Sequence, residues 1–342
     1  MAEPLARVRG WLERCGAPGL VATRPGTVAW LTSGLNLPID RTAGTDLVWV
    51  VVTPTDAFLV TTEVELDRIH AEFRLELDLV AVPWYDEDGF VVAASAGLDR
   101  TLLASDGHPA FGVDATDDLT ALRLALGEGE RQALRELGAD ATAAVERALR
   151  DWRPGDRDRD VAAAIAAGVE SAGADAPVLI VGGDDRLRAY RHPLAIGEPM
   201  REVAMAVLVA RRGGLHVALT RYAGKVPDLA GVRRIEAAVL GACRTGETYG
   251  DALSALDAAY AAEGQPGGWR GHYQGGPIGY AQREFEISPG NRASRWYRQP
   301  VEAGHALAWN PSLPGGAKTE DTYLLTEDGL ELVTTCDLEG TA

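Results

Sequence analysis

An α/β region followed by an α+β region is the fold class the sequence predicts, and three observations predict it. Helix and strand signals alternate through roughly the first 110 residues, as in a layered α/β unit. From Gly127 onward the texture changes to two long helical stretches, then to separate runs of strand and helix. Between two apolar runs of the second part, Arg211-Arg212-Gly213-Gly214 reads as a tight hairpin turn, which makes its sheet mostly antiparallel. The expected boundaries are 1–125 and 126–342.

Taken in order, Leu5 to Arg14 has helical periodicity and stops at Gly16. Gly19 to Thr23 is a short apolar run closed by the turn Arg24-Pro25-Gly26. Leu47 to Thr53 and Ala57 to Thr61 flank Pro54-Thr55-Asp56 and read as a hairpin. A helix opens at Thr62-Glu63, and Leu79 to Val82 is a further strand. In the second part, Leu134, Leu137, Ala141 and Val145 share one face of a helix over Glu128 to Trp152. A helix over Arg159 to Ser171 follows, then strands Val178 to Val181, Val203 to Ala210 and Leu215 to Thr220. Helices Leu229 to Cys243 and Tyr249 to Glu263 precede strands Ala306 to Trp309, Thr319 to Leu325 and Leu330 to Thr334. Asp184-Asp185 reads as a turn, and Asp156 to Asp160 as a mixed-charge helix start with Asp near the N-terminus, where the helix dipole favours it.

With 342 residues, 46% of them hydrophobic, the chain has the composition of a globular protein with a full core. A net charge of −17 argues against nucleic-acid or anionic-membrane partners, since phosphate affinity needs clustered cations. Lys225 and Lys318 are the only lysines. Cys15, Cys243 and Cys336 are too few and too scattered for a disulfide framework or a zinc knuckle. The first residues lack an apolar targeting core, and no apolar run approaches the ~18 residues of a membrane span. These features imply a soluble, cytoplasmic protein.

Three stretches carry a resemblance. VAMAVLVARRGGLHVALTR (203–221) is similar to paired strands that end in Asp-x-Thr-Arg, QGGPIGYAQRE (274–284) to a Gly-His-Gly-Ile-Gly … His-Glu segment, and GHALAWNPSLPGGAKTEDTYLL (304–325) to a segment containing Glu-Pro-Gly and then Glu-Asp-Thr. Their order and spacing resemble the pita-bread family of creatinase, prolidase, aminopeptidase P and methionine aminopeptidase. The resemblance implies a creatinase-like α/β amino-terminal domain and a pita-bread α+β domain with a curved, mostly antiparallel sheet. In the metallopeptidase branch two Asp, one His and two Glu hold two metal ions. The matching positions here are Val207, Ala218, Gly276, Asn310 and Glu320, so one carboxylate of five ligands survives. A divalent cation needs roughly four to six O or N ligands, so the expectation is no metal and no cofactor.

By the same resemblance, Arg191-His192-Pro193 falls where creatinase has a His that acts as acid and base without a metal. His192 is the candidate proton shuttle, an imidazole being the side chain that titrates near neutrality; the plainer role is a turn cap. Glu320 could orient water, accept a proton or bind a substrate cation; otherwise it ion-pairs with Arg221 or Arg283. Glu284 is a candidate partner for His192. His272, Gln274 and Asn310 are neutral donors and acceptors for a substrate, and Arg221 and Arg283 could grip a carboxylate. Cys243 reads as core, and His70, His108, His216 and His305 as surface or packing residues. In creatinase-like dimers the amino-terminal domain covers the neighbour's site, which makes the loop Asn36 to Arg41 a candidate lid in a homodimer, with Arg41 as its binding residue.

The function implied is metal-independent hydrolysis of a C–N bond in a small polar metabolite by His192 and a carboxylate. A lyase or isomerase using the same pocket and a non-catalytic binding protein are the alternatives. A true Xaa-Pro metallo-aminopeptidase conflicts with four of the five ligand positions.

Overall fold

The computed structural model describes residues 1–35 and 39–335. Contacts divide the chain into two compact units, Met1–Arg123 and Leu124–Ala342.

The first unit is a six-stranded mixed sheet flanked by helices. Trp49–Val52 and Ala57–Thr62 form the expected antiparallel hairpin, with Trp49 opposite Val60. Leu20–Ala22 lies antiparallel to the first of these and parallel to Ala104–Ser105. Val21, Trp49, Val51, Val60 and Leu103 form a buried apolar cluster on it. At the buried edge, both carboxylate oxygens of Asp106 accept from the Thr23 amide, at 2.9 and 3.1 Å, and one from the Arg24 amide at 2.8 Å. Arg41 lies on an exposed turn of this unit; Asn36, Leu37 and Pro38 of the proposed lid fall outside the described residues, as does Cys336.

In the second unit, Glu128–Asp151 is a 24-residue helix that buries Leu134, Leu137, Ala141 and Val145, the periodic stripe of the sequence. The antiparallel sheet is divided in two. Asp175–Gly183, Val203–Arg212 and Leu215–Gly224 make a three-stranded sheet, and Gly275–Ile278, Ala306–Trp309, Asp321–Thr326 and Gly329–Leu332 a four-stranded one. A short pair, Ser312–Leu313 with Ala317–Lys318, sits beside them. Hydrogen bonds stitch the sheets together: the Thr220 amide donates to the Glu320 carbonyl at 2.8 Å, and the Ala218 amide to Thr322 Oγ1 at 2.8 Å. A cavity opens along this seam.

Of the two acidic segments, Asp156 to Asp160 does open a helix, Asp158–Ser171, as expected, whereas Asp184-Asp185 is not a simple turn. Asp184 opens the helix Asp184–Ala189, and its carboxylate accepts from the amides of Arg201, Glu202 and Val203 at 2.8 to 3.1 Å. Asp158 is fully buried; it accepts from the amides of Ile196 and Gly197 and from Arg186. Both are clamps that pin distant backbone amides, which local charge patterning cannot show. Among the described residues no helix is long and apolar enough to cross a membrane.

Candidate functional site

Strand register builds the floor of the site. Val178, Val209 and Ala218 are cross-strand neighbours, and so are Ile180, Val207 and Thr220. Side chains alternate along a strand, so Ala218 and Thr220 share one face while Arg221 turns to the other. The front face is the floor of a cavity of about 80 Å³, lined also by Tyr273, Gly276, Arg283, Asn310, Lys318 and Glu320. The five positions singled out by the motifs, Val207, Ala218, Gly276, Asn310 and Glu320, all line this one cavity.

The cavity's polar wall centres on Glu320. Its Oε2 accepts from Lys318 Nζ at 2.9 Å and from Thr220 Oγ1 at 3.1 Å, and its Oε1 accepts from Asn310 Nδ2 at 3.2 Å. Both partners of the ion pair are over nine-tenths buried. Asn310 Oδ1 is buried and has no hydrogen-bond partner among the described residues. A metal ion does not fit this donor set: an ammonium already neutralises the lone carboxylate, the floor is apolar, and a bare cation would lack the anionic ligands it needs. Among the described residues no group of three His, Cys, Asp or Glu side chains is placed to hold one.

A second lobe, a cleft of about 250 Å³, shares His192 and Lys318 with the first. Ser312, Arg191 and His272 line it. Ser312 stands directly opposite Lys318 in the short strand pair, which links the two lobes. Tyr260 fixes the Ser312 backbone, taking its amide at 3.0 Å while donating to Gln274 Oε1 at 2.7 Å. His192 lies on the loop after Asp184–Ala189, its ring 6.1 Å from that of His272 and edge-on to it. Partial burial, and then the Lys318 ammonium, hold the His192 pKa below its ordinary 6.5, against the pull of Glu320. Burial pushes His272 down to about 4.

Of the residues expected from sequence, the fold brings His192, His272, Arg283, Asn310 and Glu320 to these two lobes. Arg283 reaches the rim stacked on Tyr273, 4.2 Å from the ring centre, and pairs with Glu286. Four others line neither lobe, three of them in the same unit. Arg221 is fully buried on the back face, bonded to Asp321 at 2.8 Å and to the Thr334 carbonyl. Gln274 spends its amide on the carbonyls of Trp269 and His272. Glu284 Oε1 accepts the Ala281 amide and closes the turn after Ile278. Arg41 belongs to the other unit. Lys318, Ser312 and Arg191 were not singled out by the sequence reading as site groups. For Lys318 a signal existed, since it stands two residues before Glu320.

No protein-family model and no curated protein matches the sequence. Solved structures do match the fold. Prolidase from Pyrococcus horikoshii OT3 superposes with a TM-score of 0.76 at 16% identity, over 98% of this chain and 99% of that one. Dipeptidase PepE from Mycobacterium ulcerans gives 0.75 at 23% identity, over 98% and 95%. The N-terminal domain of FACT complex subunit SPT16 from chickpea gives 0.69 at 13%, over 98% and 97%. The structural neighbours are thus prolidases and Xaa-Pro peptidases of the pita-bread family together with a domain of a FACT complex subunit, and at these identities the likeness is one of fold. The chain has the pita-bread fold, the match covering 98% of it.

Proposed function

We propose that the chain is an enzyme that hydrolyses a C–N bond of a small anionic metabolite without a metal ion. The observation that carries this reading is the Lys318–Glu320 pair, 2.9 Å apart, inside the cavity where all five motif positions converge. A fixed, desolvated ammonium can do what a Lewis acid does there, stabilising the oxyanion that develops on an attacked carbonyl. Glu320 holds Lys318 in place, and Asn310 Oδ1 is left to accept a hydrogen bond from substrate. His192 takes the proton of the attacking water and returns it to the leaving nitrogen.

The charge of the site supports an anionic substrate. Arg188, Arg191, Arg283 and Lys318 line the two lobes; Asp185, Glu286 and Glu320 pair with three of them, and Arg191, bonded to Ser312 Oγ, carries the remaining positive charge, in a chain whose net charge is −17. Such local reversal focuses a positive potential and draws anions in. In this reading Arg283 replaces Arg221 as the residue that grips a carboxylate.

The test is a screen of small carboxylate-bearing amides, amidines and ureas on protein purified without chelator, with bound metals measured in parallel. Turnover that survives chelation and falls by about 100-fold or more in His192→Ala and Lys318→Met is the expected outcome. About two equivalents of metal per chain, with activity lost on chelation, would return the two-metal mechanism. The likeness to the FACT subunit domain favours a second reading, a binding module. Micromolar capture of a compound that is never turned over would select it.

A further inference from the structure

The outer lobe contains a serine whose surroundings neither the fold nor the reading above requires. Ser312 Oγ lies 2.7 Å from His272 Nε2, and the other ring nitrogen, Nδ1, lies 2.6 Å from the Tyr273 carbonyl. A carbonyl can only accept, so the proton of a neutral His272 sits on Nδ1. Nε2 then carries a lone pair, and the Ser312 hydroxyl donates to it. Burial keeps the ring neutral at ordinary pH, the form a base requires. Arg191 Nη1 donates to the same Oγ at 2.7 Å, placing a guanidinium where negative charge would grow. This is a nucleophile, a base, and a third group that orients the base, on one wall of an open cleft.

We infer that Ser312 is a nucleophile activated by His272, and that the outer lobe carries out acyl transfer on small esters or amides through an acyl-enzyme. Oγ attacks the carbonyl carbon while its proton passes to Nε2. Collapse of the tetrahedral adduct breaks the bond to the leaving oxygen or nitrogen, which departs with that proton. Water then attacks the ester on Ser312, giving its proton to Nε2 and, through it, back to Oγ, and a carboxylic acid is released. No metal, oxidant or second substrate is required. The lasting negative charge of the adduct forms on the former carbonyl oxygen, and the Arg191 guanidinium, which reaches Oγ, is the cation beside it. The Ser312 backbone is held by Tyr260, so the nucleophile is fixed rather than carried on a loose loop. Ser312 is itself largely buried, which limits acyl donors to small, slender groups that can enter the cleft.

This inference is independent of the roles given to Lys318 and His192, and it can be tested before any natural substrate is known. The full chain is incubated with a small alkyl phosphonofluoridate and, separately, with 4-nitrophenyl acetate, and adducts are located by intact mass and peptide mapping. One adduct per chain at Ser312 is expected, absent in Ser312→Ala and at least about tenfold slower in His272→Gln, with a burst of nitrophenol in the wild type. Thermal melts show that each variant is folded, and Ser312→Ala removes only one oxygen. Failure of Ser312 to react, under conditions that label an ordinary serine hydrolase, overturns the inference. Labelling that persists in folded Ser312→Ala does the same. Neither result touches the Lys318 reading, which rests on turnover and metal content.

Discussion

The two faces of one strand seam hold two ion pairs of opposite character. Thr220 and Arg221 are neighbours in sequence, as are Glu320 and Asp321, and each pair splits across the sheet. On the back face Arg221 and Asp321 lie 2.8 Å apart. Thr334 adds its hydroxyl to the Asp321 carboxylate at 2.6 Å, and its carbonyl to Arg221. On the front face Lys318 and Glu320 are about as close, at 2.9 Å, yet they line a cavity. One face is packed as an internal lock, and the other opens onto a cavity. The difference lies in what surrounds each pair, since both have short contacts and buried partners.

Breaking each pair separates the two roles. Arg221→Met leaves Asp321 charged in a dry setting and should destabilise the chain by about 3–5 kcal/mol in urea unfolding. A loss under about 1 kcal/mol would mean that the back face is not a lock. Glu236 adds to the same argument. Burial, and then the charge of Asp321, push it up to about 8. Between an unfolded value near 4.5 and about 8, the folded state therefore holds a proton that the unfolded chain has lost, and stability falls as pH rises through that window. Glu236→Gln should abolish that slope and gain roughly 1–3 kcal/mol at pH 8 relative to wild type. Parallel unfolding curves at pH 5 and pH 8 read it directly.

Lys318→Met should cost less than Arg221→Met, roughly 1–2 kcal/mol, because Glu320 keeps two neutral donors and faces a cavity that water can enter. Removing both charges in Lys318→Met with Glu320→Gln should recover most of that loss while leaving turnover absent. A double-mutant cycle measures the coupling. If the single variant proves as costly as Arg221→Met, the front pair is structural and the proposed function loses its support.

The same comparison shows what the sequence could reveal. The order and spacing of three motifs sufficed to bring five positions scattered from 207 to 320 onto one cavity, because those positions sit on paired strands whose register the motifs encode. Period-two alternation would also have sent Arg221 to the back once Ala218 was placed at the front, and would have put Lys318 beside Glu320. Contacts between segments left no such trace. Ser312 and His272 are 40 residues apart, and nothing local to either predicts that they meet. Glu284 followed the motif faithfully in sequence, but its side chain closes a turn through the Ala281 amide.

The smallest expected effect is the most specific probe of the front face. His192 should titrate below its ordinary 6.5 in the folded chain, held down by its surroundings and by the Lys318 ammonium. A His whose folded pKa is depressed stays neutral to lower pH, so if His192 is the base, the acid limb of kcat/KM also lies below 6.5. Lys318→Met removes a repulsive charge and leaves Glu320 unopposed, and both changes favour the imidazolium. The midpoint of the His192 ring-proton NMR titration should therefore rise in that variant, and the acid limb should move with it. Arg221→Met, one residue from Thr220 but on the opposite face, should leave the midpoint where it was. A shift in both variants would show that the field at His192 comes from the fold as a whole. A shift in neither would separate Lys318 from His192, and with it the shared wall on which the proposed chemistry depends.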